Sequence, residues 1–169
     1  MVRQRAHITV LMADIIRTAL CRFRKFRLLQ RDDKKFLVAS VFLLPLSVLA
    51  IRTFSLARIL SSIERRSGKS TALIPYEDAV RLGQLVNTAA QYSVLQANCL
   101  PRSVCLAWIL RNRGIAFDLR IGVAMLSSGG ITAHAWVEYL GYPINDGPDI
   151  VKRFTPITKN IHVQAMTLK

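Results

Sequence analysis

The stretch from Asn98 to Val123, NCLPRSVCLAWILRNRGIAFDLRIGV, changes its period partway along. Asn98 is a residue type that favours the N-cap of a helix. Pro101 then falls in the first turn, where a missing N–H is tolerated. Gly114 supplies a left-handed stop, so the spacing predicts a helix from Asn98 to about Arg113. Beyond it, Phe117, Leu119, Ile121 and Val123 alternate with Asp118, Arg120 and Gly122. That period of two is a half-buried strand.

Downstream the strand character continues. Ser127-Ser128-Gly129-Gly130 is a turn signal, and Ile131 to Leu140 reads as a mostly apolar, central strand. Gly141-Tyr142-Pro143 is a tight connection, Ile144 to Asp146 begins a short third strand, and one more edge strand is expected near Ile150 to Phe154. Upstream the pattern is helical. Pro75 suits the first turn of a helix running to about Tyr92, with Val80, Leu82, Leu85 and Val86 on its apolar side. Residues 36–66 read as one broken or two consecutive helices, ended by Arg65-Arg66-Ser67-Gly68. Ile8, Leu11, Met12, Ile15 and Ile16 recur at helical spacing near the start. Helices first and strands after predict an α+β fold, N-terminal helices packed on a small antiparallel sheet.

The 169 residues favour one domain with a basic extension: an arm over 1–35 and a single domain over 36–169. The formal net charge is +14, and the first 35 residues carry ten Lys or Arg against Asp14, Asp32 and Asp33. Such a segment attracts an acidic partner or an anionic surface. No nucleic-acid signature accompanies it, so no specific nucleic acid is expected. Phe36 to Ile51, FLVASVFLLPLSVLAI, is apolar but short of the roughly 20 residues of a spanning helix, and it contains Pro45. It reads as a buried or interfacial helix kinked near Pro45. It starts too late for a signal peptide.

The three cysteines, Cys21, Cys99 and Cys105, form no disulfide framework. On one helix, Cys99 and Cys105 would lie about 9 Å apart along the axis, too far to bridge. Free thiols fit a reducing, cytoplasmic compartment. Gly68-Lys69-Ser70 is no phosphate loop, because Ile63 stands where the first Gly belongs. The Cys and His residues show no metal-ligand spacing. Neither cofactor nor metal is expected.

A thiol nucleophile needs partial exposure, an environment that favours its thiolate, and a base within reach. At a helix N-terminus, Cys99 gains the macrodipole and unpaired backbone N–H groups. Cys105 sits mid-helix among Val104, Leu106 and Ala107, as a small buried hydrophobe would. His134, between Ala133 and Ala135 in an apolar strand, has small neighbours that leave its ring room to approach another group. One short strand later, Asp146 is placed to hold the far ring nitrogen, since paired strands lie about 4.8 Å apart. Asn145, Glu138 and Asp149 compete for that role on spacing alone. Arg102, one turn above Cys99, faces a substrate or solvent.

Asn98-Cys99-Leu100-Pro101-Arg102-Ser103, Leu110 to Ile115, Ile121-Gly122-Val123 and Ala133-His134-Ala135-Trp136-Val137-Glu138 together resemble the leader peptidases of lasso-peptide biosynthesis, a bacterial branch of the transglutaminase-like cysteine proteases. The resemblance covers roughly residues 35–157. It implies a papain- or transglutaminase-like core with Cys99 as nucleophile, His134 as base and Asp146 as the orienting acid. It implies a ribosomally made precursor peptide as substrate, cut between leader and core. It also implies two partners, a separate leader-binding protein and a lasso cyclase. The 35 residues ahead of the apolar helix are too few for a fused leader-binding domain, so the match is to the stand-alone form, with the arm or the following helices contacting that partner. The alternatives are an amidase or acyl transferase with the same three residues, and a non-catalytic basic scaffold or peripheral membrane-binding protein.

Overall fold

The structure, a computed structural model, describes residues 29–65, 72–157 and 161–163. The helical stripe near Ile8, the Gly68 helix end, Cys21 and His7 lie outside the described residues. The chain divides into two compact units, residues 1–35 and 36–169.

Among the described residues, four helices precede the strands. Helix α1 spans Arg31–Thr53, α2 Leu56–Arg65, α3 Tyr76–Ala90 and α4 Cys99–Asn112. The apolar run is one helix that continues through Pro45; the expected kink is not where the chain breaks. The break falls at Phe54-Ser55, where the Ser55 carbonyl accepts from the N–H groups of Arg58 and Ile59 and starts α2. In α1, Phe36, Ser40, Leu44, Ser47 and Val48 form a buried stripe at helical spacing. Its two serines satisfy their hydroxyls by bonding back to the carbonyls of Phe36 and of Leu43 and Leu44. The guanidinium of Arg113 lies 4.8 Å from the centre of the Phe36 ring, and Arg111 donates to the Ser62 carbonyl. These contacts tie α1 and α2 to the end of α4. Gly114 takes φ +68°, the left-handed stop that its position requires.

The strands form one antiparallel sheet. Strand β1 spans Phe117–Leu126, β2 Gly130–Tyr139 and β3 Tyr142–Pro143. The expected strand near Ile150 is instead a helical turn, α5, Ile150–Arg153. Gly147-Pro148-Asp149 turns the chain just ahead of it, and the Asp149 carbonyl accepts from the N–H groups of Lys152 and Arg153. The edge strands follow as β4, Thr155–Pro156, and β5, Ile161–Val163. The third strand also sits earlier than expected, although Ile144 still donates to the Val137 carbonyl and extends the ladder. The order is β3-β2-β1, with β4 and β5 both on the far side of β1. In the β1–β2 register, Asp118 faces Glu138, Arg120 faces Trp136 and Gly122 faces His134. The expected α+β architecture is what the chain adopts.

These three pairs share one face of the sheet, because side chains alternate along a strand. Trp136, Ile150 and Phe154 close it as a buried cluster. Gly122 is needed there: a Cβ would stand 2.9 Å from the Trp136 ring and 3.0 Å from the Phe154 Cβ. Helix α4 packs on β1 and β2, and β2 is buried from Ala135 to Tyr139.

The β2–β3 turn contains Leu140 at φ +53° and Gly141 at φ +83°. Two positive φ values match the right-handed strand twist, and Asn-Gly is the preferred pair for such a turn. A leucine there is strained and, at 65% exposure, contributes little packing. Leu140→Asn is therefore expected to stabilise the protein by about 0.5–1 kcal/mol, read as a higher denaturant midpoint at unchanged m-value.

Candidate active site

Cys99 is the first residue of α4, and Asn98 occupies the N-cap position with extended backbone. The Asn98 side chain makes no capping hydrogen bond. A cap oxygen bonds the N–H of the second or third helical residue; the third is Pro101, which has none, so only the Leu100 N–H is open to it. The start of α4 thus presents its first backbone N–H groups, and the positive end of its dipole, beside the Cys99 thiol. Arg102 faces neither side expected of it alone. Its Nε donates to the buried Ala97 carbonyl at 2.7 Å, fastening the loop ahead of the helix, while the residue also lines the cleft described below.

His134 lies on β2 opposite Gly122. Its ring is 5.2 Å from Phe154 and stacks at 6.5 Å with Trp136. Its Nε2 is 2.6 Å from Asp146 Oδ2. The other Asp146 oxygen accepts from the Gly147 N–H. A carboxylate on Nε2 holds the proton there and leaves Nδ1 as the nitrogen that can take one. The three competitors are engaged elsewhere. Glu138 accepts from Trp136 Nε1 and from Arg120. Asp149 pairs with Arg153. Asn145 turns into the core.

Asn145 is the centre of a buried network. Its Oδ1 accepts from the Val137 N–H at 2.7 Å, and its Nδ2 donates to Ser103 Oγ at 3.0 Å. Ser103, fully buried, donates onward to the Ala135 carbonyl. Asn87 of α3 donates to the Asn145 carbonyl at 2.8 Å. Each member of this set neighbours a candidate site residue: Ser103 is one turn from Cys99, Ala135 adjoins His134, and Asn145 adjoins Asp146. On spacing alone Asn145 reads only as a histidine partner, and nothing in the sequence pattern marks Ser103 or Asn87. Gly83 lies one turn before Asn87 on α3. A Cβ on Gly83 would stand 2.0 Å from the Ile144 carbonyl oxygen, so α3 meets the Ile144–Asn145 backbone directly. A glycine inside a strong helix pattern was the signal for that approach.

A cleft of about 620 Å³ opens between α3, the start of α4 and β2. Cys99, His134 and Asp146 all line it, with Gln84 and Asn98 among its polar walls. Such an arrangement can hold a carbonyl next to a thiol and an imidazole. Among the described residues, no three His, Cys, Asp or Glu side chains cluster as a metal ion would need.

The two described thiols differ sharply. Cys99 is partly exposed and Cys105 is buried. Burial in apolar surroundings pushes the Cys105 thiol up to about 12. Iodoacetamide at neutral pH should therefore alkylate Cys99 in the native protein and Cys105 only after unfolding, as read by peptide mapping. Equal labelling of both would contradict this placement. Gly83→Ala should destabilise the fold by about 1–3 kcal/mol through overpacking, measured by denaturant unfolding.

No curated protein and no solved structure matches the chain. The model of the transglutaminase-like superfamily matches residues 40–159. That span runs from α1 to just past β4 and includes Cys99, His134, Asp146 and the buried network around them; the chain belongs to the transglutaminase-like superfamily.

Proposed function

We propose that this protein is a cysteine endopeptidase that removes the leader from a ribosomally made lasso-peptide precursor. One observation carries the catalytic part: the His134 Nε2–Asp146 contact of 2.6 Å, on the wall of a cleft shared with Cys99 at a helix start. The superfamily supports cysteine-based chemistry. The finer reading rests on the run Cys99-Leu100-Pro101-Arg102-Ser103 followed by His134-Ala135-Trp136-Val137-Glu138.

In this mechanism His134 Nδ1 takes the Cys99 proton, and Asp146 holds the resulting imidazolium. The thiolate attacks the carbonyl at the leader–core junction. Backbone N–H groups at the start of α4 stabilise the oxyanion. His134 then protonates the leaving amine, which becomes the N-terminus of the core. Water attacks the thioester with His134 as base and releases the leader. A separate leader-binding protein presents the precursor, and a cyclase takes the core. The work takes place in the cytoplasm.

The test is mass spectrometry of a precursor encoded beside this gene, incubated with the protein and its leader-binding partner. The wild type should cut at one junction, and Cys99→Ala should not cut. Asp146→Asn should lower kcat by about two to four orders of magnitude. A product carrying an added amine in place of water would favour the acyl-transferase reading. An intact precursor with folded protein and a verified partner would rule out leader removal.

A further inference from the structure

Helix α1 carries a second face that the site does not use. Opposite the buried stripe, Val38, Phe42, Leu46 and Leu49 are exposed, Phe42 at 74%. At 3.6 residues per turn these four fall within an arc of about 80° and form a ridge about 16 Å long. No polar side chain interrupts the ridge, and Arg52 stands one turn beyond its end. Phe54, also exposed, lies 5.9 Å from the Arg58 guanidinium just past it. Four large apolar side chains in one exposed row are more than the scattered apolar surface of a monomer.

Three properties decide what covers this ridge. The helix is long and apolar enough to cross a bilayer, with 28% of its most apolar window buried within the protein. Its opposite face, however, is packed into the fold and holds buried Ser40 and Ser47. A helix fixed along one side cannot be surrounded by lipid; it can only lie along a surface. The charge supplies the third property. The chain carries a net +14, ten of its Lys and Arg in the first 35 residues; Lys35 precedes the ridge, and Arg52 and Arg58 follow it. An apolar stripe bordered by cations matches an anionic lipid surface, with the stripe among the acyl chains and the cations at the headgroups.

We infer that the outward face of α1 seats the protein on anionic membranes, α1 lying in the plane of the interface. The occupant is the bilayer surface, held by Val38, Phe42, Leu46 and Leu49 and by the cationic excess of the chain. This binding is independent of the thiol chemistry.

The experiment is flotation of the full chain with phosphatidylcholine vesicles, and with vesicles in which part of the phosphatidylcholine is replaced by phosphatidylglycerol. The wild type should float with the anionic vesicles, far less with the neutral ones, and detach as salt rises. The double variant Phe42→Gln/Leu46→Gln should lose at least tenfold in partitioning. Both positions are exposed, and circular dichroism together with unchanged Cys99 alkylation shows that the variant is folded. Cys99→Ala should float like the wild type. Absence of flotation at low salt overturns the inference. So does unchanged partitioning of the double variant, which would leave the charged arm alone responsible. A wild-type dimer lost in the double variant would assign the ridge to a second copy and equally overturn it.

Discussion

Ser103, Asn145 and the backbone of β2 share hydrogen bonds in a space that water does not reach. A buried polar group costs free energy unless it is paired. Asn145 and Ser103 each bond two partners on different segments, so displacing any segment leaves a buried polar group unpaired. The set joins three pieces of chain: α4, β2 and the connection after β3. Each piece also carries one of Cys99, His134 and Asp146. The placement of Cys99, His134 and Asp146 is therefore tied to a buried hydrogen-bonded set immediately behind and beside the cleft. Asn87 adds α3 through the Asn145 carbonyl, and the bare Gly83 lets α3 come close enough to do so.

The opposite side of His134 is held by shape. Trp136 and Phe154 contact its ring, and the empty Gly122 position lets these two large residues meet across β1. Trp136 is in turn fixed by its indole bond to Glu138, which the Arg120 guanidinium also holds. A charge-assisted pair of this kind is strong when little water competes. The imidazole thus has few directions left, and the Asp146 carboxylate defines the one that remains.

Much of this was legible before any coordinates. The change of period at Gly114 separates helices from strands because side-chain spacing on the two elements differs, and no tertiary contact is needed to see it. Cys99 stood out through Asn98 and Pro101, and His134 through its small neighbours. Other features depend on partners distant in sequence. Asn145 reads as a histidine partner until Ser103 of α4 and Val137 of β2 are beside it. Ile150 to Phe154 has strand-like residues, yet the turn at Gly147-Pro148-Asp149 starts a helical turn whose Ile150 and Phe154 cover Trp136. Pro45 looks like a break, but its place in a long helix is tolerated and Ser55 starts the next one instead.

The Leu140-Gly141 turn has a consequence for the order in which the chain assembles. It brings β3 back onto β2 at once, so His134 and Asp146 are only 12 residues apart along the chain. Closing so short a loop loses little chain entropy. Cys99 lies 35 residues before His134 and comes to the same cleft only through the packing of α4 on the sheet. Contacts of short sequence separation form more readily than distant ones. The His134–Asp146 contact is thus expected to form early and locally, and Cys99 to come to the same cleft later. In a chain whose α4 has not yet docked, the thiol and the imidazole therefore line no common cleft.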